Sequence, residues 1–420
     1  MVKKMMKQKS RLVENIFSMV TLRGMEYILT FLLVPYLLRT LGPSNYGAIA
    51  FMQGIIAYFT LVINYGFNLT APKDIALAEE GELPRIFSSY FWGTFFLWLL
   101  CSAFFGIGYF ILHGLFQTSL DIPLFFACYM TAIGLVVFPV WFFQGVQEMR
   151  YITVLNLSGR FITMALLFYL IRSPEDYVVA AFLQSCTTVF AGFLSWRIIH
   201  KGWPGILQRP VKQDILAVYK KGWQIFLSSL AVNLYTSSDV VILGILTNST
   251  VVGYYSGAEK LVNCVRRGIG AVSDAVYPYI TQKFKESKEK AYHFLRMQLA
   301  VYAAGGILGG LVILFFSPTV VPWLLGNKYI LSIEPLQVMS FMPFMVAVST
   351  VFGYETMLPL GLQKIYSRTL IAASAVNLTL IVPAILWKGA VGVAGCVLIT
   401  ETFITLVMGI YLWKKKILLR

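Results

Sequence analysis

The sequence predicts an all-α integral membrane protein of about twelve transmembrane helices, arranged as two six-helix lobes around a central cavity. Of the 420 residues, 58% are hydrophobic and only 13% are charged, whereas soluble domains carry about 25% charged residues. A soluble core cannot bury that much apolar surface. The hydrophobic residues come in about twelve runs, each long enough to cross a bilayer core of roughly 30 Å as a helix. The links between the runs are too short to fold as separate domains.

Each run is taken as one span. The first follows a basic N-terminal segment, is too long for the apolar region of a signal peptide, and is not followed by a small-residue cleavage site. We therefore expect it to be retained. The predicted spans are Leu12–Leu38, Tyr46–Leu69, Phe87–Leu112, Ile122–Gly145, Ile152–Ile171, Tyr177–Ile199, Tyr219–Leu246, Val251–Tyr279, Tyr292–Phe316, Pro335–Leu358, Tyr366–Trp387 and Gly389–Trp413.

The distribution of Lys and Arg predicts the topology. An even number of spans puts both termini on one side, and 25 of the 34 Lys and Arg residues lie at the termini, in the connections on that side or in the first or last residues of the adjoining spans. The opposite connections carry four, and five lie deeper within spans. Because cytoplasmic connections are enriched in Lys and Arg, we expect both termini to be cytoplasmic.

The longest connection divides the chain into two halves. Residues 201–221 are predicted to form a basic cytoplasmic linker between an N-terminal lobe, 1–200, and a C-terminal lobe, 222–420. The segment Leu41–Gly47 joins spans one and two, and the similar segment Leu246–Gly253 joins spans seven and eight. Six spans per half give both halves the same orientation, so they are predicted to be parallel repeats, as in transporters that rock one half against the other.

The eighth span is the most charged. At 100° per residue, Glu259, Lys260, Arg266, Arg267 and Asp274 fall within an arc of about 120°. A charge at the bilayer centre costs about 2.5–3.5 kcal/mol on insertion scales, so this arc is predicted to line a polar path. Two alternatives stay open: an amphipathic helix on the membrane surface, or charges paired inside a bundle.

Three other spans carry charges of the same kind. Arg23 and Glu26 share a face of span one, as a structural ion pair or as part of the lumen wall. Arg160 lies one turn after Asn156 in span five. Asp239 follows a polar stretch in span seven, where it either faces the lumen or belongs to a local hydrogen-bonded kink. With the five residues of span eight, Arg23, Glu26, Arg160 and Asp239 are the candidate substrate-binding residues.

Two further carboxylates, Glu355 in span ten and Glu401 in span twelve, are alone in their spans. A carboxylate in the membrane is expensive unless it is used or paired. Both are therefore candidates for coupling transport to protons or sodium ions.

Five segments in matching order resemble the polysaccharide transporter family, which includes the O-antigen repeat-unit flippases (Wzx-like), within the multidrug/oligosaccharidyl-lipid/polysaccharide exporter superfamily. They are LRTLGPSNYGAIAF (38–51), NYGFNLTAPKDIA (64–76), PVWFFQGVQEMRYI (139–152), SSDVVILGIL (237–246) and VGYYSGAEKL (252–261). The resemblance covers essentially the whole chain. One departure is Val240, where the family often has a basic residue, which puts one lumen charge in doubt.

The resemblance implies a fold of two six-helix lobes and a function. The function is movement of undecaprenyl-pyrophosphate-linked oligosaccharide from the cytoplasmic to the periplasmic leaflet of a bacterial inner membrane. The expected partners are this substrate, the membrane lipids, and the polysaccharide polymerase and chain-length machinery. No cofactor, metal or nucleic acid is expected.

Motifs of other classes are missing from the sequence. There is no G-x-x-x-x-G-K-[ST], no H-E-x-x-H and no G-x-S-x-G, and the longest connection has a single acidic residue, Asp214. This disfavours a membrane glycosyltransferase or polymerase, the enzyme alternative, so no catalytic residue is expected.

A MATE-like drug exporter is the transport alternative. Its cavity would favour cations and be acidic or aromatic, whereas five basic residues lie deep within the spans here. The five cysteines lack metal-ligand spacing and are predicted to be packing residues rather than disulfides.

Overall fold

The computed structural model describes backbone and side chains for residues 24–79, 81–107, 121–230, 233–234, 237–274, 276–277 and 279–418. For 2–23, 108–116, 231–232, 235–236, 275 and 278 it describes the helical backbone alone. Throughout these ranges the chain is helical or in connections, without a strand. The predicted all-α fold is confirmed.

Two compact units divide the chain. The first consists of Met1–Leu33 and Met52–Leu230, and the second of Val34–Phe51 and Ala231–Arg420. The middle of the first helix therefore groups with the second unit. The lobe boundaries predicted from the sequence stay a prediction.

Eight helices account for most of the first unit. They are α1 (Val2–Asn64), α2 (Phe67–Ala76), α3 (Leu83–Phe116), α4 (Ile122–Val137), α5 (Val140–Gly145), α6 (Met149–Leu170), α7 (Tyr177–Gly202) and α8 (Lys212–Thr236). Helix α4 packs against α7, α7 against α6, and α2 against α5. An aromatic core that includes Phe67, Phe87, Trp141 and Phe142 joins α2, α3 and α5.

Six helices and a π-helix form most of the second unit. They are α9 (Ser238–Leu246), α10 (Ser249–Glu286), α11 (Lys288–Leu325), α12 (Ile333–Val338), α13 (Met342–Thr350), a π-helix (Val351–Met357) and α14 (Gln363–Lys414). Helix α11 packs against α13, and α14 against α12 and α13. Ile280, Val351, Phe352, Ile404 and Met408 lie in the core of this unit.

Prolines and glycines place the helix breaks. Gly42 has a positive φ of 73° ahead of Pro43 and interrupts α1, because glycine adopts this backbone conformation without a steric cost. Pro139 separates α4 from α5, since proline lacks the N–H that would continue the helix and disfavours helical backbone at the preceding residue. In α14, Lys388 and Gly389 have non-helical backbone angles.

These breaks reconcile the helices with the predicted spans. Eight stretches of the described chain are long and apolar enough to cross a membrane. Two of them, Gly24–Ala76 and Gln363–Lys414, contain 53 and 52 residues and are broken at Gly42 and at Lys388–Gly389, so each provides two spans. The remaining two predicted spans correspond to the polar helix α10 and to α8 with α9, which are not among the eight. The chain is a multi-pass membrane protein.

The two similar connecting segments meet within the second unit. A Cβ atom added to Gly47 would overlap the backbone of Ser249 and Gly253, and one added to Gly253 would overlap the backbone of Pro43. The N-terminus of α10 is capped by the side chain of Asn248, which accepts a hydrogen bond from the Val251 N–H at 3.1 Å. Two glycines 206 residues apart therefore allow the backbones of the two segments to touch.

Candidate functional site

The charged residues of α10 do not share one environment. Glu259, Lys260 and Arg266 are half-buried, whereas Arg267 and Asp274 are exposed. Gly268, on the far side of the helix from the charged arc, is exposed too. The charged arc predicted from the sequence therefore runs from the packed side of α10 to an open side.

A chain of hydrogen bonds connects the packed side of α10 to α14. Asn263 donates from Nδ2 to Glu259 Oε1 at 3.2 Å and accepts from Arg266 Nη1 at 3.4 Å. Arg266 Nη2 in turn donates to Glu401 Oε1 at 3.2 Å. We call Glu259, Asn263, Arg266 and Glu401 the Arg266 network. Glu401 is thus alone in its own span but paired in the fold.

The adjacent cation is in the opposite situation. Among the residues that the structure describes, Arg267 makes no hydrogen bond or ion pair, and its side chain is exposed. Lys260 lies near the buried Tyr46 and near Arg267. Asp274 accepts a hydrogen bond from the Tyr354 hydroxyl at 3.4 Å. Arg267 is therefore a positive charge on a membrane helix that the described part of the protein does not neutralise.

A buried carboxylate lies further along, in the π-helix. Glu355 is 0% exposed, and its Oε1 accepts hydrogen bonds from Ser273 Oγ and from Gln298 Nε2, the latter at 3.0 Å. Its other oxygen, Oε2, has no partner in the described chain. Ser273 belongs to α10 and Gln298 to α11, so three elements converge on this carboxyl group.

Asp239 is buried as well, at the start of α9. The chain breaks at Ser237, between α8 and α9, and Asp239 follows in the first turn. It is 4% exposed, and its Oδ1 lacks a partner, as does Oδ1 of the neighbouring Asn377 on α14. Asp239 thus lies beside a helix break, which agrees with the kink alternative, and not on an open surface. No three His, Cys, Asp or Glu side chains in the described ranges come together as metal ligands would.

The first unit brings two predicted residues together. Arg160 Nη2 lies 3.1 Å from Glu26 Oε1, and the two side chains are 38% and 25% exposed. Nε of Arg160 is buried without a partner among the described residues. Asn156 bonds instead to the Ile152 carbonyl of its own helix. The side chain of Arg23 lies outside the described residues.

An apolar groove of about 480 Å³ lies beside the charged helix. It runs between α10, α11 and α13, and Val265 and Ile269 of α10 form part of its wall. On α11 the wall includes four glycines, Gly305, Gly306, Gly309 and Gly310, beside larger side chains such as Val301 and Ile313. Val265 and Ile269 flank Arg266 and Arg267 in sequence, so an apolar surface and two guanidinium groups occur on the same turns of α10.

Sequence reasoning identified the charges but missed several of their polar partners. Gln298, Asn377 and Ser273 were not among the candidates, although each is a polar side chain within a predicted span. Such residues are uncommon in membrane helices unless they bond to a neighbouring helix, so their presence is the signal that could have found them. The five cysteines are all free thiols, as predicted.

Comparisons with known proteins agree with the fold. The family model described as "Polysaccharide biosynthesis protein" matches residues 12–284, more than half of the chain. An Escherichia coli K12 protein named "Putative O-antigen transporter" is 27% identical and is covered over 99% of its length by 98% of this chain. A protein of the same name from Shigella dysenteriae is 28% identical, over 94% of this chain and 98% of its own.

Two solved structures share the fold at low sequence identity. The lipid II flippase MurJ in an inward closed conformation superposes with a TM-score of 0.71, at 13% identity, over 96% of this chain and 87% of its own. An inward-facing multidrug resistance MATE family transporter superposes with a TM-score of 0.68, at 14% identity, over 94% of this chain and 97% of its own. The family model and the two near full-length relatives confirm the resemblance found in the sequence.

Proposed function

Because the chain belongs to the polysaccharide biosynthesis protein family, we propose that it is a flippase for undecaprenyl-pyrophosphate-linked oligosaccharide repeat units. It would move them from the cytoplasmic to the periplasmic leaflet of a bacterial inner membrane by alternating access, driven by an ion gradient. The names of the near full-length relatives support transport of O-antigen, and the fold shared with a lipid II flippase supports a lipid-linked cargo. In this proposal no residue is catalytic, and the polysaccharide polymerase and chain-length machinery act on the delivered units.

The observation that carries this proposal is the unneutralised Arg267 beside the Arg266 network. A pyrophosphate is a dense anion, and guanidinium groups bind phosphate oxygens through two parallel hydrogen bonds. An unpaired charge on a membrane helix is costly. Its presence is explained if an anion binds it during the transport cycle. Lys260, Glu259 and Asp274 of α10 and Arg160 and Glu26 of the first unit complete the proposed substrate-binding set. Arg266 and Asp239 have lesser parts in this set, because Arg266 is paired with Glu401 and Asp239 is only 4% exposed.

The lipid chain of the cargo has a different requirement. It is apolar and must stay in contact with an apolar surface while its head group crosses. The groove between α10, α11 and α13 offers such a surface on the helix that carries Arg266 and Arg267. This arrangement supports a cargo with an anionic head and an apolar tail.

A MATE-like exporter of cationic drugs is the alternative, and it is supported by the shared fold. The exposed cation distinguishes the two. Arg267 would repel a cationic drug, and no described side chain cancels its charge. We therefore favour the anionic cargo.

The test replaces Arg267 in protein reconstituted into vesicles that contain a labelled polyprenyl-pyrophosphate oligosaccharide. Flipping is measured as the fraction of label that becomes accessible to an impermeant reagent. For Arg267→Ala we expect at least a tenfold loss of rate, since a hydrogen bond to a charged group is worth about 1.5–3 kcal/mol. Arg267→Lys should restore only part of the rate, because an ammonium group does not form the paired contact.

Lys285→Ala is the matched control, since Lys285 is an exposed cation near the end of the same helix. It should transport like the wild type. Protein abundance should be normal in all three variants, because Arg267 has no partner in the described chain to be left unpaired. Wild-type rates in Arg267→Ala would contradict the proposed anion site, and vesicles in which the wild type flips a cationic drug but no lipid-linked sugar would contradict the proposed function.

A further inference from the structure

We propose that Glu355 is the proton carrier of the transport cycle, an inference that rests on the proposed ion-driven flipping and names its ion and its residue. Protons would bind Glu355 from the periplasmic side and leave to the cytoplasm, opposite to the cargo. A gradient directed into the cell drives export only if the two movements exchange in this way.

The hydrogen bonds of the carboxyl group are unevenly divided between its two oxygens. Oε1 accepts from both Ser273 and Gln298, whereas Oε2 has no partner among the described residues. Oε1 of Gln298 is also buried without a partner. An ionised carboxylate here would leave a charged oxygen unsolvated at 0% exposure, which is expensive. A proton on Oε2 removes the charge and supplies a donor in a cluster that has spare acceptors.

No described cation compensates the charge of Glu355, and this separates it from Glu401. Glu401 is paired with Arg266 at 3.2 Å. Asp239 lies near a second acid, Glu259, and beside Asn377. Glu355 has neutral donors only, so the gain or loss of one proton changes the net charge of its cluster.

The ionisable groups around Glu355 come from each element that packs against the π-helix. On α11 the nearest is Tyr302, whose hydroxyl is buried without a partner among the described residues. On α10, Asp274 bonds to Tyr354 and Tyr277 packs against the same ring. On α14, Tyr366 packs against Gly353, and α13 carries no ionisable residue. None of these groups brings a positive charge.

The local backbone provides a route for a proton-dependent change. Glu355 lies in a π-helix. Such helices are rare in proteins as a whole, and those that occur are often found at functional sites. Thr356 Oγ1 donates to the Val351 carbonyl, five residues earlier, at 2.7 Å. The carboxyl group also bridges this segment to α10 and α11 through Ser273 and Gln298. Because the charged arginines lie on α10 as well, a change in the Ser273–Glu355 bond acts on the helix proposed to bind the cargo.

The first experiment uses the wild-type protein and needs no substitution. A membrane-soluble carbodiimide modifies protonated carboxyl groups in apolar surroundings, and peptide mass spectrometry locates the modified residue. We expect Glu355 to be labelled and its labelling to fall as the pH rises. Labelling that is absent or independent of pH would overturn the proposal, since a carrier must both become accessible and change its protonation.

The second experiment compares Glu355→Gln with wild type in vesicles with and without an imposed pH gradient. Glutamine resembles the protonated acid in shape and cannot release a proton. Wild-type flipping should be accelerated by the gradient, whereas Glu355→Gln should flip at a rate that the gradient does not change. Glu334→Gln, an exposed carboxylate paired with Lys388, is the control and should respond like the wild type.

The outcomes separate this inference from the proposed function. Acceleration of Glu355→Gln by the gradient, or no acceleration of the wild type, overturns the proton role while flipping itself is still observed. Wild-type vesicles that flip no lipid-linked sugar under any gradient overturn the proposed function instead. If Glu355→Gln does not fold, the carbodiimide result on the wild type decides the proposal.

Discussion

Arg266 and Arg267 are neighbours in the chain with different surroundings. Helical geometry rotates them by about 100°, so one side chain turns to Glu401 on α14 and the other to an open surface. The same residue type therefore has two environments: Arg266 pairs with a second helix, and Arg267 has no partner among the described residues. Adjacent identical residues in a membrane helix need not be equivalent.

This difference predicts opposite behaviour on truncation. Arg266→Ala leaves Glu401, whose side chain is 8% exposed, without its cation. Removing one partner of a buried pair costs about 3–5 kcal/mol. Because the Arg266 side chain is 29% exposed, we expect a loss below that range, of about 2–3 kcal/mol. Protein abundance in membranes and thermal unfolding in detergent should both fall.

The double variant Arg266→Ala/Glu401→Gln is the control for this prediction. Removing both charges removes the unpaired acid, so abundance should return toward that of the wild type. If the single and double variants are equally depleted, the ion pair is not the reason for the loss.

The sequence could predict the charged arc of α10 but not the partners of its members. Helical periodicity places Glu259, Arg266 and Arg267 on one side, whereas Glu401 lies 135 residues from Arg266. Pairings across that distance depend on how the helices pack, and no local pattern encodes them. The same reason explains why the Ser273–Glu355–Gln298 cluster was missed.

At the scale of elements, the breaks within the helices follow from local chemistry. The gap between α4 and α5 at Pro139 and the interruption of α1 at Gly42 both occur at residues that disfavour continuous helix. The π-helix at Val351–Met357 has no comparable sequence signal. Its extra residue is accommodated by packing against α10, α11 and α14, which a single sequence does not show.

The contact between the two similar segments is sensitive to one methyl group. Gly47→Ala or Gly253→Ala would place a Cβ atom into the backbone of the facing segment. Backbone cannot move aside as a flexible side chain can, so we expect a loss of about 1–3 kcal/mol in the free energy of unfolding, measured by thermal unfolding in detergent.

Gly268→Ala on the same helix is the matched control. Nothing lies within 4 Å of a Cβ atom there, and alanine is the better helix former by about 1 kcal/mol. This variant should be as stable as the wild type or more so. Equal losses in all three variants would show that the glycine contact is not specific.

A pair of charges links α3 and α8 outside the apolar part of α8. Arg85 donates from Nε and Nη2 to the two carboxylate oxygens of Asp214, each at 2.7 Å. This hydrogen bonding lowers the pKa of Asp214 below the ordinary value of 3.8. A carboxylate whose pKa is lower in the folded state stabilises the fold above its unfolded pKa, and the contribution is lost as the pH falls through the folded pKa.

The stability difference between wild type and Asp214→Asn should therefore be constant near neutral pH. It should shrink to zero only below about pH 4, as the aspartate becomes protonated. Because the guanidinium is exposed, the difference should be small. Arg85→Ala should give the same pH profile, and adding it to Asp214→Asn should change nothing further. A difference that persists at the lowest pH would contradict the assignment to this pair.

At the scale of the whole molecule, hydropathy predicted an all-α multi-pass membrane protein because each crossing must be long and apolar. It could not predict that Val34–Phe51 groups with the second unit, since that depends on a contact between segments far apart in sequence. The length and apolar character of a span are set by the bilayer, whereas the grouping of the helices is set by side-chain packing.

The topology can be tested with single cysteines in a variant that lacks the five native ones. The 25-to-4 distribution of basic residues predicts that Lys285 is cytoplasmic and Lys328 periplasmic. In intact cells without an outer-membrane barrier, an impermeant maleimide should label Lys328→Cys and should label Lys285→Cys only after permeabilisation. Both positions are exposed, so the difference reports the side of the membrane and not burial.

Labelling of both positions in intact cells would contradict the twelve-span topology. Labelling of Lys285→Cys alone would mean that the orientation of the protein in the membrane is the reverse of the predicted one. The proposed direction of transport would then have to be reversed with it, because the side from which Arg267 meets the cargo depends on this orientation.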